Sequence, residues 1–320
     1  MLTIELEGSQ LRFGERFSLS FQRTLRLPDD GKVYPLPPGL DRFPLKSVGD
    51  YPEKVPANWL EQGGVFIPMY QREALWLAFD AATWKPNAVK VGVGRVNALT
   101  GDSWDLALRA EPQDYLVCPN QPWLDGFKTG EDVVRQFVAM PLGQGYTVEG
   151  QLTGEERFGG MQIVVYEPKP GRFPDQPPPE TREEFQPMEA FALEAMPPQQ
   201  LGLAAGGQMD QKIYPDPYGS DTWDQGNYGI LHVYIVNSEQ YQELTGEQPP
   251  ATPVSAQLYQ SLNLPWFDLY DETLGDIVPG EKMKGLKSVK EIDEAKGKMS
   301  GEDETPLDVI EDQIKKLKPL

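Results

Sequence analysis

Thirty-one prolines in 320 residues, about twice the usual ~5%, set the first limit on what this chain can fold into. Each one fixes φ, removes a backbone donor and is poorly tolerated inside a helix or a central strand. Long helices are therefore few. The prolines crowd into 28–64 and 168–184 and thin out where apolar and polar residues alternate. The pattern predicts a mainly β chain with sandwich-like antiparallel sheets, a few short helices and long proline-rich loops.

The stretch 133–166 reads as the centre of that fold. It opens as a short helix and continues as a glycine-broken strand. Thr153-Gly154-Glu155 and Gly159-Gly160 bracket a reversal. Met161, Ile163 and Val165 then alternate with Gln162, Val164 and Tyr166 as a packed strand. A core hairpin is expected here, paired on both sides. Elsewhere Phe17, Leu19 and Phe21 alternate with Ser18, Ser20 and Gln22, the mark of a half-buried antiparallel strand. Further strands are expected at 65–70, 72–79, 88–96, 104–108, 115–118 and 230–236. A spacing near 8–12 residues suits a sandwich or a barrel.

Four regions follow. Residues 1–167 form a β body from which an arm, 28–64, runs out with Tyr34, Leu36, Phe43 and Trp59 among its prolines. Residues 168–184 are an extended linker. Residues 185–272 make a smaller β/α part, with short helices at 238–244 and 253–264. Residues 273–320 read as a flexible charged tether ending in an amphipathic helix. Its stripe is Leu307, Ile310, Ile314 and Leu317 at i, i+3, i+7, i+10, with Asp308 early and Lys315 and Lys316 late to suit the helix dipole.

Charge bounds the partners. Forty-nine acidic against 29 basic residues give a net charge of -20. Binding to nucleic acid depends on neutralising phosphates with Lys and Arg, so nucleic acid and anionic membranes are disfavoured partners. A single cysteine, Cys118, excludes an internal disulfide and suits a reducing compartment. The opening MLTIELEGSQ lacks the basic and apolar regions of a secretory leader, and no apolar run reaches the ~18 residues of a membrane span. The expected location is the cytoplasm.

Chemistry is sparse. His232, the one histidine, sits among β-formers at 230–236, and any Ser-His or Cys-His catalyst would need it. Cys118 follows a β-run and precedes Pro119, with no base or helix start beside it. VGVGRVN at 91–97 has two glycines but neither the third glycine nor the following helix of a phosphate loop. The most suggestive loop is 215–229, where Asp216, Asp221 and Asp224 interleave with Tyr218, Trp223 and Tyr228. Acceptors beside polar-tipped aromatics make a surface for a sugar or a protein, although turns favour the same residues for backbone reasons. No metal or cofactor is expected. The sequence predicts a non-enzymatic, self-assembling interaction protein that uses its arm and C-terminal helix. The rival is a carbohydrate-binding or carbohydrate-active protein using 215–229.

Overall fold

The computed structural model describes residues 1–178, 201–251, 265–269, 274–299, 302–307, 309 and 311–317. The chain is mainly β: among the described residues seventeen strands, several only two residues long, join in one largely antiparallel network beside a small two-stranded sheet. The strands of four residues or more are β1 (Ile4–Glu7), β2 (Gln10–Phe13), β3 (Phe17–Thr24), β4 (Val65–Pro68), β5 (Ala74–Ala81), β6 (Asn87–Val93), β7 (Gly126–Gly130), β8 (Val133–Pro141), β9 (Met161–Pro168), β10 (Leu201–Asp210), β11 (Trp223–Val236), β12 (Trp266–Leu269) and β13 (Ile314–Leu317). Short helices are α1 (Ala57–Gln62), α2 (Val148–Thr153), α3 (Ser238–Thr245) and α4 (Val289–Ala295). Among the described residues no helix is long and apolar enough to cross a membrane.

The network has two wings. In one, β6 pairs with β9 and β9 with β11, all antiparallel, while β4 runs parallel to the end of β11. In the other, β2, β3, β5, β8 and β10 follow one another antiparallel. The wings meet where Leu201 pairs with Ile235 and where the Leu2 N–H donates to the Tyr228 carbonyl.

Alternation in the sequence becomes the core. Phe17, Leu19 and Phe21 of β3, Leu75 and Leu77 of β5, Val89 and Val91 of β6, Ile163 and Val165 of β9, and Leu231 and Val233 of β11 share one buried cluster. Burying each such side chain contributes about 1.5–3 kcal/mol. A one-residue slip would turn a whole row outward, so the register is strongly specified. Smaller clusters collect on other faces, around Trp59, Phe66 and Tyr234, around Met140, Tyr146 and Ile292, and around Tyr115, Tyr166 and Trp223. The glycine pair of 91–97 serves packing: the Trp104 ring lies so close over Gly92 that a Cβ there would come within 2.4 Å of it.

Several local expectations change. Val133–Pro141 is a strand rather than a short helix, because it pairs along its length with β10 and at Phe137 and Val138 with β5. Short apolar runs carry no periodicity that separates the two. The helix comes later, as α2, where a glycine-broken strand was expected; Thr147 caps it by accepting from the Gly150 N–H at 3.1 Å. β8 and β9 therefore do not form a hairpin and lie in different wings. Residues 104–108 make no strand and are tied down by Lys90, which donates to Asp105, Asp114 and the Ala107 carbonyl. β10 and β11 complete the sheets begun by β8 and β9, so one sheet network crosses the division expected at 168–184. The 215–229 loop ends early, since β11 already begins at Trp223.

The C-terminal region changes most. Its described residues pack on the body, and 311–317 form a 3-10 turn and β13 where an amphipathic helix was expected. β13 runs parallel to β12, from Trp266↔Ile314 to Leu269↔Leu317. Pairing with a neighbouring strand satisfies backbone groups that a short isolated helix leaves to water. The helix expected at 253–264 lies outside the described residues, as does Ile310.

Candidate interaction site

The arm begins at a Pro28-Asp29-Asp30-Gly31 turn. Asp30 accepts from the Lys32 N–H at 3.0 Å and from the Tyr34 hydroxyl at 2.8 Å. Burial pushes the Asp30 carboxyl up, but these bonds and the Lys32 charge outweigh it and hold it below the usual carboxylate range. Val33 and Tyr34 then pair in parallel with Gln208 and Met209 of β10. Leu36 and Phe267 exchange two main-chain hydrogen bonds of 2.8 Å, which joins the arm to β12 and through it to β13.

Arm and C-terminal segment thus meet in one seam. The Tyr34 hydroxyl also accepts from the Leu307 N–H at 3.2 Å. Lys32, Val33, Tyr34, Pro35, Leu307, Val309 and Ile314 line a groove of about 310 Å³ along the seam. Val33 is 47% exposed at its edge. Lys32, Lys315 and Lys316 are exposed nearby, as is Asp312. Two of the four residues expected to drive assembly, Leu307 and Ile314, are therefore brought to the arm. The Leu317 backbone pairs with Leu269 in the β12–β13 sheet.

The C-terminal segment is fastened further along by charge. Asp276 accepts from the Lys128 ammonium and from the N–H groups of Asp132, at 2.6 Å, and Ile213, at 2.8 Å. Lys128 is fully buried. Burial lowers its pKa while Asp276 acts against that shift. Farther on, Arg72 donates to Asp293 at 2.7 Å and to Asp303 at 2.6 Å, and Arg26 contacts Asp303 and Glu304. Burial brings the Arg26 guanidinium down to about 10, with Glu304 opposing. Burial pushes the Asp293 carboxyl up, but the Tyr146 hydroxyl at 2.6 Å and Arg72 outweigh it and hold it low. Between these points, Val289 and Ile292 of α4 pack on Met140, Tyr146 and Ala204.

The rival loop is used inward. Trp223 is 1% exposed, and its indole N–H donates to Asp216 at 2.8 Å. The Tyr115 hydroxyl donates to the same carboxylate at 2.5 Å. Burial pushes the Tyr115 phenol far up, and the bond to Asp216 adds to it. Tyr228 packs on Tyr166, and Asp224 accepts from the Gly226 N–H. Tyr218 and Asp221 stay exposed, the latter beside Arg172. The loop brings Asp216, Tyr218 and Trp223 together but encloses the ring a sugar would stack on.

Burial lowers the pKa of the His232 ring, opposed by a hydrogen bond with the Gln62 backbone. Cys118 is buried and its Sγ donates to the Gln121 carbonyl at 3.1 Å, while burial pushes the thiol well up. A thiol so placed is a poor nucleophile. Among the described residues, no cluster of three or more His, Cys, Asp or Glu side chains is arranged to hold a metal ion.

Sequence reading missed Arg26, Arg72, Lys128 and their carboxylate partners. Each pair is separated by more than 140 positions, so no local spacing announces it. A local sign is Glu302-Asp303-Glu304, three acids in a row. Compared with protein-family models, curated proteins and solved structures, the chain gives no match in any of the three.

Proposed function

We propose that the protein is a non-enzymatic structural or interaction protein of the cytoplasm that associates with further copies of itself through the arm–tail seam. The observation that supports this reading is the groove where Val33, Tyr34, Leu307, Val309 and Ile314 converge. Two chain regions about 270 positions apart build it together, and Val33 is left half exposed at its edge. The partner chemistry follows from charge. A molecule of net charge -20 carries a large excess of acidic side chains, and the exposed Lys32, Lys315 and Lys316 beside this groove complement it. Charge complementarity of that kind favours encounter and register more than raw affinity.

Light scattering on full-length protein, followed from low to high micromolar concentration, tests the reading. The weight-average mass is expected to rise with concentration, toward a closed ring or an open filament. A mass fixed at 35.9 kDa throughout that range overturns it.

A further inference from the structure

Among the described residues the middle of β10 has no partner strand along one of its two edges. On one side β10 pairs with β8 from Leu201 to Asp210. On its other side, among the described residues, Leu201 meets Ile235, Gln208 and Met209 meet the arm, and between them only Ala205 is bridged, to Ser288. Pro28 closes over Gly207. The stretch 202–206 reads Gly-Leu-Ala-Ala-Gly, with no charge and no proline. An edge without such guards is a template for pairing with another chain, and proteins commonly cover one with a helix or loop.

Here the cover is the segment that begins at Ser288. A capping box, Ser288 with Glu291, starts α4 directly beside Ala205. Val289 and Ile292 seat it on Ala204 and Met140. Its far end is held by carboxylates: Asp293 and Asp303 on Arg72, with Asp303 and Glu304 on Arg26. Lys298 donates to the Tyr146 hydroxyl at 2.8 Å, and Lys290 to the Asp29 carbonyl at 2.7 Å. Arg135 bridges Asp29 and Glu291. Arg72 holds φ at +72°, a conformation uncommon outside glycine.

We propose that α4 with the residues to 299, together with 302–304, is a charge-latched strap over the β10 edge, and that lifting it lets the edge pair with the same edge of a second copy. This rests on the self-association reading above and extends it, because the edge continues directly from the seam at Gln208 and Met209. Two identical edges meeting about a two-fold axis make a self-complementary antiparallel ladder. The latch carboxylates leave with the strap, so the arginines it uncovers are solvated rather than stranded.

The test weakens the latch and, separately, locks it. Full-length protein with Asp293→Asn and Asp303→Asn loses the two carboxylates hydrogen-bonded to Arg72, leaving it Glu304 at 3.6 Å, while α4 keeps its capping box. A second pair, Ala205→Cys with Ser288→Cys, joins two positions that form a β-bridge; it gives up the Ser288 cap, so the same protein reduced is the control for its oxidised form. Amide exchange and sedimentation are read on the latch variant, and on the latch variant carrying the lock, oxidised and reduced. Exchange over 202–206 and 289–297 is expected to rise at least about tenfold in the latch variant at low concentration, as for a locally opened unit. Its mass is expected to rise with concentration, with renewed protection confined to 202–206. Oxidising the lock is expected to abolish that rise, and reducing it to restore the rise.

A latch variant that matches the wild-type mass at every concentration overturns the strap, and so does association that ignores the oxidised lock. The two readings fail separately. Wild type that associates while the latch variant gains nothing leaves the seam standing and removes the strap. Monomeric wild type with an associating, lockable latch variant does the reverse.

Discussion

The arm and the C-terminal segment are both extended, both run across the same body, and are held by opposite physics. The arm is anchored by apolar side chains: Tyr34, Leu36, Phe43, Leu45 and Trp59 are all buried, and the Arg23 guanidinium sits over the Phe43 ring. The apolar side chains buried by the described residues between Asp276 and Glu304 are aliphatic alone, Ile277, Met283, Leu286, Val289 and Ile292, and these residues are pinned besides by carboxylates reaching buried or half-buried cations. Apolar burial is indifferent to moderate salt and pH, whereas charge anchoring depends on both. The contrast makes the arm a fixed part of the fold and the C-terminal segment its adjustable part.

The largest expected effect lies in the arm. Phe43→Ala empties a fully enclosed site and is expected to cost about 3–5 kcal/mol in urea unfolding, with the same loss at low and high salt. Asp276→Asn comes next. It leaves the buried Lys128 without its counter-charge, a loss of about 3 kcal/mol, and the deficit is expected in unfolding of the whole body because Asp276 also ties Asp132 and Ile213. If Asp276→Asn proves harmless while Phe43→Ala does not, charge anchoring of the segment is wrong.

Acid separates the two regions without mutation. The Asp293 carboxyl lies lower in the folded protein than in the unfolded chain. Its contribution is whole above the unfolded value near 4 and drains away as pH falls through the lower folded value. Pepsin digestion stepped downward from about pH 5 is expected to open cleavage in 283–299 while the arm beyond Tyr34, held by Leu36, Phe43, Leu45 and Trp59, stays intact. Simultaneous cleavage of both would remove the distinction. The smallest effect belongs to Asp221→Ala. Its pair with Arg172 is solvent-exposed, and such pairs contribute about 0–1 kcal/mol, so thermal unfolding is expected to move little. The comparison with Asp276→Asn isolates burial as the deciding variable.

How far these features could be read from sequence divides along the same line. The rows Phe17, Leu19, Phe21 and Met161, Ile163, Val165 announce strands because side chains on a strand alternate between faces. They do so whatever the partner strand is. Val133–Pro141 resisted because its residues are apolar on successive positions, buried on both faces, and carry no period. The arm showed itself by aromatics among prolines, which have to be buried somewhere. The C-terminal stripe was a false helix: Leu307 and Ile314 do face the core, but from irregular backbone and a strand, where the three-and-four spacing has no meaning. At 215–229 the composition was visible but its direction was not. Trp223 and Asp216 satisfy each other across a turn, and nothing local distinguishes that from a surface offered to a ligand.

The seam is tested most directly by one exposed side chain. Val33 sits at the groove edge with nearly half its surface in water, so Val33→Asp leaves the body folded while placing a charge against whatever docks there. Sedimentation velocity on wild type and Val33→Asp, at matched concentrations, is the measurement. The expected result is a concentration-dependent increase in sedimentation coefficient for wild type that the variant loses, with identical unfolding curves for the two. Equal association by both proteins would contradict the seam as the contact surface.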